Sequence, residues 1–132
     1  MTEGKGGKTL EPISVGNTEK YGRGIFATRN IRRGELIEVA SVIVIPNDEW
    51  YQMRGSILNN YVFRWGEDKA LALGTGSLFN HSYNPNARYY TNIENQSIDF
   101  YARKFIAAGD EIVVNYNGDP RDNSPVWFDV IE

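Results

Sequence analysis

The chain has no cysteine and a single histidine among its 132 residues. Without thiols, disulfides, zinc ribbons, iron–sulfur clusters and cysteine nucleophiles are excluded. One histidine also rules out a multi-histidine metal centre, so no metal is expected. Long hydrophobic runs are missing: no stretch nears the ~18 apolar residues of a membrane span. The opening MTEGKGGKTLE has no hydrophobic signal core. The expectation is an intracellular protein without a membrane partner, in the cytoplasm or, for a eukaryotic or viral source, the nucleus.

What remains is an ordinary globular composition, long enough for one domain with a real core. The net charge of −3 hides an uneven distribution. Residues 1–36 carry seven basic and four acidic groups, whereas residues 110–132 carry six acidic groups against Arg121 alone. An acidic C-terminal face disfavours nucleic-acid phosphates and favours a basic peptide. Acidic tails also occur simply as solubility features. Oligomeric state is open, a homodimer included.

Residues 1–9, rich in Gly and Lys, are expected to fray, leaving residues 10–132 as a single domain. From Leu10 on, short β-type runs alternate with turn residues. Residues 35–45 (ELIEVASVIVI) are dense in β-branched side chains and end at Pro46, and Asn47 or Asp48 is expected to cap a short helix reaching about Arg54. Residues 61–65 and 70–73 read as strands, 75–79 as a helical turn, 88–93 and 98–102 as a hairpin, and 111–116 as a final strand. No long amphipathic helix is present, against a doubly wound nucleotide fold.

Three stretches carry chemical meaning. Gly22-Arg23-Gly24 lets backbone approach a ligand closely, but β-type residues follow it instead of the helix a dinucleotide fingerprint requires. Ser77–Asn86 (SLFNHSYNPN) holds the lone His81 beside Asn80, followed by the strong turn Asn84-Pro85-Asn86. Gly109–Tyr116 is a turn leading into a strand that ends on a tyrosine. Aromatic residues crowd the second half, most as core and some able to wall a channel for an amine. No serine sits in a nucleophile elbow, so Ser-His-Asp hydrolysis has no support.

In this order the three stretches resemble the motifs of the SET domain of protein-lysine methyltransferases: G-x-G-φ-F-A (Gly22–Ala27), N-H-S-x-x-P-N (Asn80–Asn86) and G-[DE]-E-φ-x-x-[DN]-Y (Gly109–Tyr116). The similarity is greatest to minimal viral and bacterial members without flanking zinc modules. It implies a mainly β, SET-type β-clip fold of several small sheets with few short helices, in which the Asn80 segment and the Tyr116 strand meet in a knot-like crossing. It further implies S-adenosylmethionine as cofactor and a lysine of a basic, histone-like tail as substrate. By position, Arg23, Gly24, Asn80 and His81 would hold the cofactor, with Trp127 or Phe128 capping it or the channel. Tyr116 would be the catalytic tyrosine and also contact the cofactor, and Tyr61, Tyr89 and Val114 would belong to the lysine channel.

Three departures bear on substrate fit. Ala40 stands where many members have tyrosine, Ser77 where an arginine is common, and Val114 where Phe or Tyr is common. The alternative from another class is a catalytically silent β-clip module that binds a peptide or small ligand.

Overall fold

Ten residues rich in β-branched side chains form the longest strand among the described residues, 12–132, of the computed structural model. The expected fraying of residues 1–9 lies outside the described residues. The strands are β1 (Ile13–Thr18), β2 (Gly22–Ala27), β3 (Leu36–Ile45), β4 (Val62–Trp65), β5 (Asp68–Ala72), β6 (Asn80–His81), β7 (Ala87–Asn92), β8 (Ser97–Ala102) and β9 (Glu111–Val114). Among the described residues one short helix, α1 (Asn47–Met53), and two 3₁₀ turns, Ile57–Asn60 and Gly76–Leu78, join them.

The described strands form two sheets, one in the order β1-β2-β9-β6 and the other β4-β5-β3-β8-β7. In β3 the register shifts between Leu36 and Glu38, an irregularity of the kind that re-aims side chains. Ile37 and Ala40 consequently both face inward, while Val39 and Ile43 stay exposed. The core lies between the sheets. Phe79 and Phe100 stack with centroids 4.2 Å apart, surrounded by the fully buried Ile25, Ile98, Ile112 and Val114. A bridge between Ile31 and Ile106 ties the connection after β2 to the one before β9.

Two local expectations change. Helix α1 is capped by neither Asn47 nor Asp48: Pro46 occupies the N-cap with no side-chain cap bond. The Asn47 backbone N–H instead donates to Asp68 Oδ1 at 2.9 Å, so the neighbouring hairpin satisfies a helix-start donor. The final strand also stops at Val114, two residues early. Asn115 turns the chain there, its Oδ1 accepting from Asn117 N and its carbonyl from Gly118 N, both at 2.9 Å.

Candidate active site

The crossing of the two later motifs is a parallel pair: β6 runs beside β9, with Asn80 opposite Val113 and His81 opposite Val114. The turn after β6 fastens it. Asn86 donates through Nδ2 to the Glu111 carbonyl and accepts through Oδ1 from Val113 N, both at 2.9 Å. One amide thus stitches the Asn-Pro-Asn turn to β9. Position 86 suits asparagine because a single side chain supplies both donor and acceptor.

Beyond this pair, His81 and Tyr116 interlock. The Tyr116 backbone N–H donates to His81 Nδ1 at 2.9 Å, and the two rings lie 5.2 Å apart. The Tyr116 hydroxyl donates to the Phe79 carbonyl at 2.7 Å. Burial pushes the pKa of this phenol up, and the neighbouring phenols of Tyr89, Tyr21 and Tyr61 push the same way. His81 is buried, and desolvation lowers its pKa, opposed by the charge of Glu132. Its Nε2 is buried with no hydrogen-bond partner.

On one side of this junction lies the first motif. Asn80 Nδ2 donates to the Arg23 carbonyl at 3.0 Å and to Glu111 Oε2 at 2.8 Å. Gly24 packs directly over them: a Cβ at this position would lie 2.6 Å from Glu111 Oε2 and 2.8 Å from Asn80 Nδ2. Arg23, Gly24, Asn80 and His81 are therefore brought together, with the Arg23 side chain exposed.

Tyr116 also lines a groove of about 560 Å³. Tyr61, Phe63, Tyr89 and Trp127 contribute its aromatic wall, and Phe79 and Ser77 lie at its inner side. The Tyr89 hydroxyl points at the Tyr116 carbonyl, 3.4 Å away, and burial pushes the Tyr89 pKa up to about 12. Trp127 stacks on Tyr116 with centroids 5.7 Å apart and an interplanar angle of 17°, and its Nε1 donates to Asn60 Oδ1 at 3.0 Å. Phe128 meets His81 and Tyr116 edge-on.

Val114, expected in the channel, does not line the groove: it is fully buried in the core. The motif position implied a larger aromatic side chain; the valine found there ends within the core. The sequence reading also passed over several participants. Glu111 anchors Asn80, and the Phe79 carbonyl receives the Tyr116 hydroxyl. Tyr21 packs on Phe128. The Glu132 carboxylate accepts from Ser82 Oγ at 2.7 Å and Tyr83 N at 3.0 Å, holding the C-terminal segment against the His81 loop. Only Glu111 left a signal, as the carboxylate opening the last strand.

This geometry coincides with a family match. Residues 22–117 match the SET domain model. The chain belongs to the SET domain family. It is 35% identical over 121 residues to the Schizosaccharomyces pombe histone-lysine N-methyltransferase specific for H3 lysine-37, covering 89% of this chain and 78% of that one. It is 28% identical over 118 residues to human histone-lysine N-methyltransferase 2B, of which it spans 4%. Among solved structures, a Plasmodium falciparum chain described as a histone methyltransferase superposes with a TM-score of 0.68 at 30% identity, covering 82% of this chain and 95% of that one. The Chaetomium thermophilum PRC2 complex bound to S-adenosylmethionine gives 0.69 at 24% identity over 82% of this chain and 15% of that one, a likeness of fold.

The SET domain is thus an enzyme of the protein-lysine N-methyltransferase class, with S-adenosylmethionine as methyl donor. The residues present fit such a cofactor. Asn80 Oδ1 accepts no hydrogen bond among the described residues, so an acceptor is free beside the Arg23 carbonyl. Gly24, with no side chain, lets its backbone pack directly against Asn80 and Glu111, so the first motif and the Asn80 amide present one surface. Among the described residues no helix is long and apolar enough to cross a membrane.

Proposed function

We propose that this SET domain methylates a lysine side chain in a histone or histone-like protein tail, with Tyr116 as the catalytic tyrosine and the aromatic groove as the lysine channel. The observation that carries this reading is the double engagement of Tyr116. Its backbone is fixed to His81 and its hydroxyl to the Phe79 carbonyl, while its ring forms part of the groove.

The Arg23 carbonyl, Gly24, Asn80 and His81 would hold the cofactor, and Trp127 and Phe128 would close over the junction. When bound, S-adenosylmethionine supplies a methyl group on a positively charged sulfur, and the protein must present a neutral amine in line with it. Neutralising a free lysine at pH 7 costs about 4.6 kcal/mol from its ordinary pKa of ~10.4. Walls made by Tyr61, Phe63, Tyr89 and Trp127 desolvate an entering ammonium and favour its neutral form. Arg64 and Lys69, in the same wall, act in the same direction by like-charge repulsion.

Among the described residues no carboxylate lines the groove, and in this reading the amine proton leaves to water and not to a side-chain base. The raised pKa of Tyr116 keeps its hydroxyl protonated and donating to Phe79, which makes it a positioning group and no base. Held alignment of this kind can supply about 7–11 kcal/mol of the barrier reduction.

The test is transfer of tritium-labelled methyl groups from the cofactor to arrayed histone-tail peptides, with the labelled residue located by mass spectrometry. Label on lysine that is lost with Tyr116→Phe supports the reading. Label absent from every peptide, or carried on a residue other than lysine, overturns it.

A further inference from the structure

Arg64 and Lys69 face each other directly across the β4–β5 hairpin, and both line the groove. Like charges placed opposite one another in an antiparallel pair oppose pairing. Neither side chain has an ion-pair or hydrogen-bond partner among the described residues. The nearest carboxylates in sequence, Glu67 and Asp68, belong to the hairpin turn and its outgoing strand. Asp68 accepts from Asn47 N, and neither of these acids lines the groove. The charge of Arg64 is felt at the Tyr89 phenol, so this cation lies within electrostatic reach of the channel wall.

The acidic C-terminal region does not compensate. Asp110, Glu111, Asp119, Asp122 and Glu132 all accept hydrogen bonds from within the chain. None of these carboxylates, nor Asp129, lines the groove, whose charged lining residues are Arg64 and Lys69.

We infer that Arg64 and Lys69 form an anion-recognition pair at the groove, selecting substrates that carry an anionic side chain close to the target lysine. This deepens the proposed function and rests on it. The spacing follows from the chain: Tyr61 immediately precedes β4 and Arg64 lies within it, three residues on and up to about 10 Å away. A substrate running alongside crosses that distance in about the same number of residues, so the anion stands some two to four residues from the lysine. A carboxylate and a phosphate ester share the required chemistry. The pair rewards either anion and repels a lysine or arginine at the same position, which gives specificity through attraction and repulsion together.

The experiment uses the full chain, labelled S-adenosylmethionine and peptides with one central lysine in an alanine–glycine background. Each flanking position is scanned in turn with Glu, phosphoserine, Ala and Lys. At one or more positions, kcat/KM for Glu or phosphoserine should exceed that for Lys by about two- to fivefold, as for exposed ion pairs. A phosphoserine optimum identifies a phosphorylated substrate, and equal rates for Glu and phosphoserine identify a simple charge requirement. The charge-reversed Arg64→Glu/Lys69→Glu protein should invert the preference, and the milder Arg64→Gln/Lys69→Gln protein should abolish it. Methylation with no charge preference at any position overturns the inference and leaves the proposed function standing. The inference also falls if the preference persists unchanged in both variants. Absence of methylation of every peptide overturns both.

Discussion

His81 accepts a hydrogen bond at Nδ1 from the backbone N–H of Tyr116, 2.9 Å away. That single contact fixes the ring's proton: a neutral imidazole accepting at Nδ1 carries its hydrogen on Nε2, the buried atom with no partner. Protonating Nδ1 would turn the acceptor into a donor facing a donor. Burial acts in the same direction, lowering the His81 pKa by desolvating the charged ring against the opposing charge of Glu132. The folded ring therefore binds a proton less readily than the unfolded one. Stability should be intact above the ordinary histidine value of ~6.5 and should fall as pH drops from there towards the folded value, by up to about 1.4 kcal/mol per pH unit. Urea midpoints measured between pH 7.5 and 5 should decline in the wild type and decline less in His81→Gln. Equal slopes for the two proteins would remove His81 from the acid response.

The hydroxyl of Tyr116 makes one hydrogen bond to the protein, to the Phe79 carbonyl. Tyr116→Phe keeps the ring and its stack on Trp127 but releases that anchor. The backbone link to His81 is unaffected, so cofactor affinity by calorimetry should change little. Single-turnover methyl transfer should slow about 100-fold, the scale expected from misplacing a reacting group by an ångström. A variant with wild-type turnover would mean that Tyr116 positions nothing in the reaction.

Gly24 offers the complementary case. An added Cβ lies within 3 Å of Glu111 Oε2 and Asn80 Nδ2, so Gly24→Ala forces apart the amide and carboxylate that bond across this site. The expected result is cofactor affinity weakened about tenfold or more, equivalent to ~1.4 kcal/mol. The thermal midpoint should move little, because Glu111 is only partly buried and its side chain can yield. Unchanged affinity measured by calorimetry would place the cofactor elsewhere.

Much of this site was legible in the sequence because its motifs are local. Gly22-Arg23-Gly24, Asn80-His81 and the Asn84-Pro85-Asn86 turn each state their backbone requirement within a few residues. The β-branched run of β3 likewise announced its strand. What sequence could not supply was register and burial. Val114 occupies a channel position by motif alone, yet its short side chain is fully buried in the core and does not reach the groove. The end of β9 is set by Asn115 bonding to Asn117, a choice its residue type alone does not dictate. Arg64 and Lys69 become neighbours only through hairpin register. The Glu132 contact with Ser82 and Tyr83 joins positions about fifty residues apart and leaves no local trace.

Ala40 departs from the tyrosine common at this position in related SET domains, and packing gives the reason. The turn Gly76–Leu78 lies so close to β3 and β5 that a Cβ on Gly76 would sit 2.5 Å from the Ala40 Cβ and 2.9 Å from the Ala72 Cβ. Three small residues thus let the turn settle onto the sheet, and the turn leads directly into Phe79 and Asn80. Gly76→Ala should cost about 1–3 kcal/mol through overpacking, read as a lower urea midpoint with an unchanged denaturant slope. Ala40→Gly should cost about 0.5–1 kcal/mol as an ordinary strand glycine. Since the missing methyl makes room for the added one, the double variant should be more stable than the sum of the two losses by about 1 kcal/mol. Strict additivity would mean that the turn relieves the clash by moving away from the sheet, and methyl transfer would then fall with it, because Asn80 moves too.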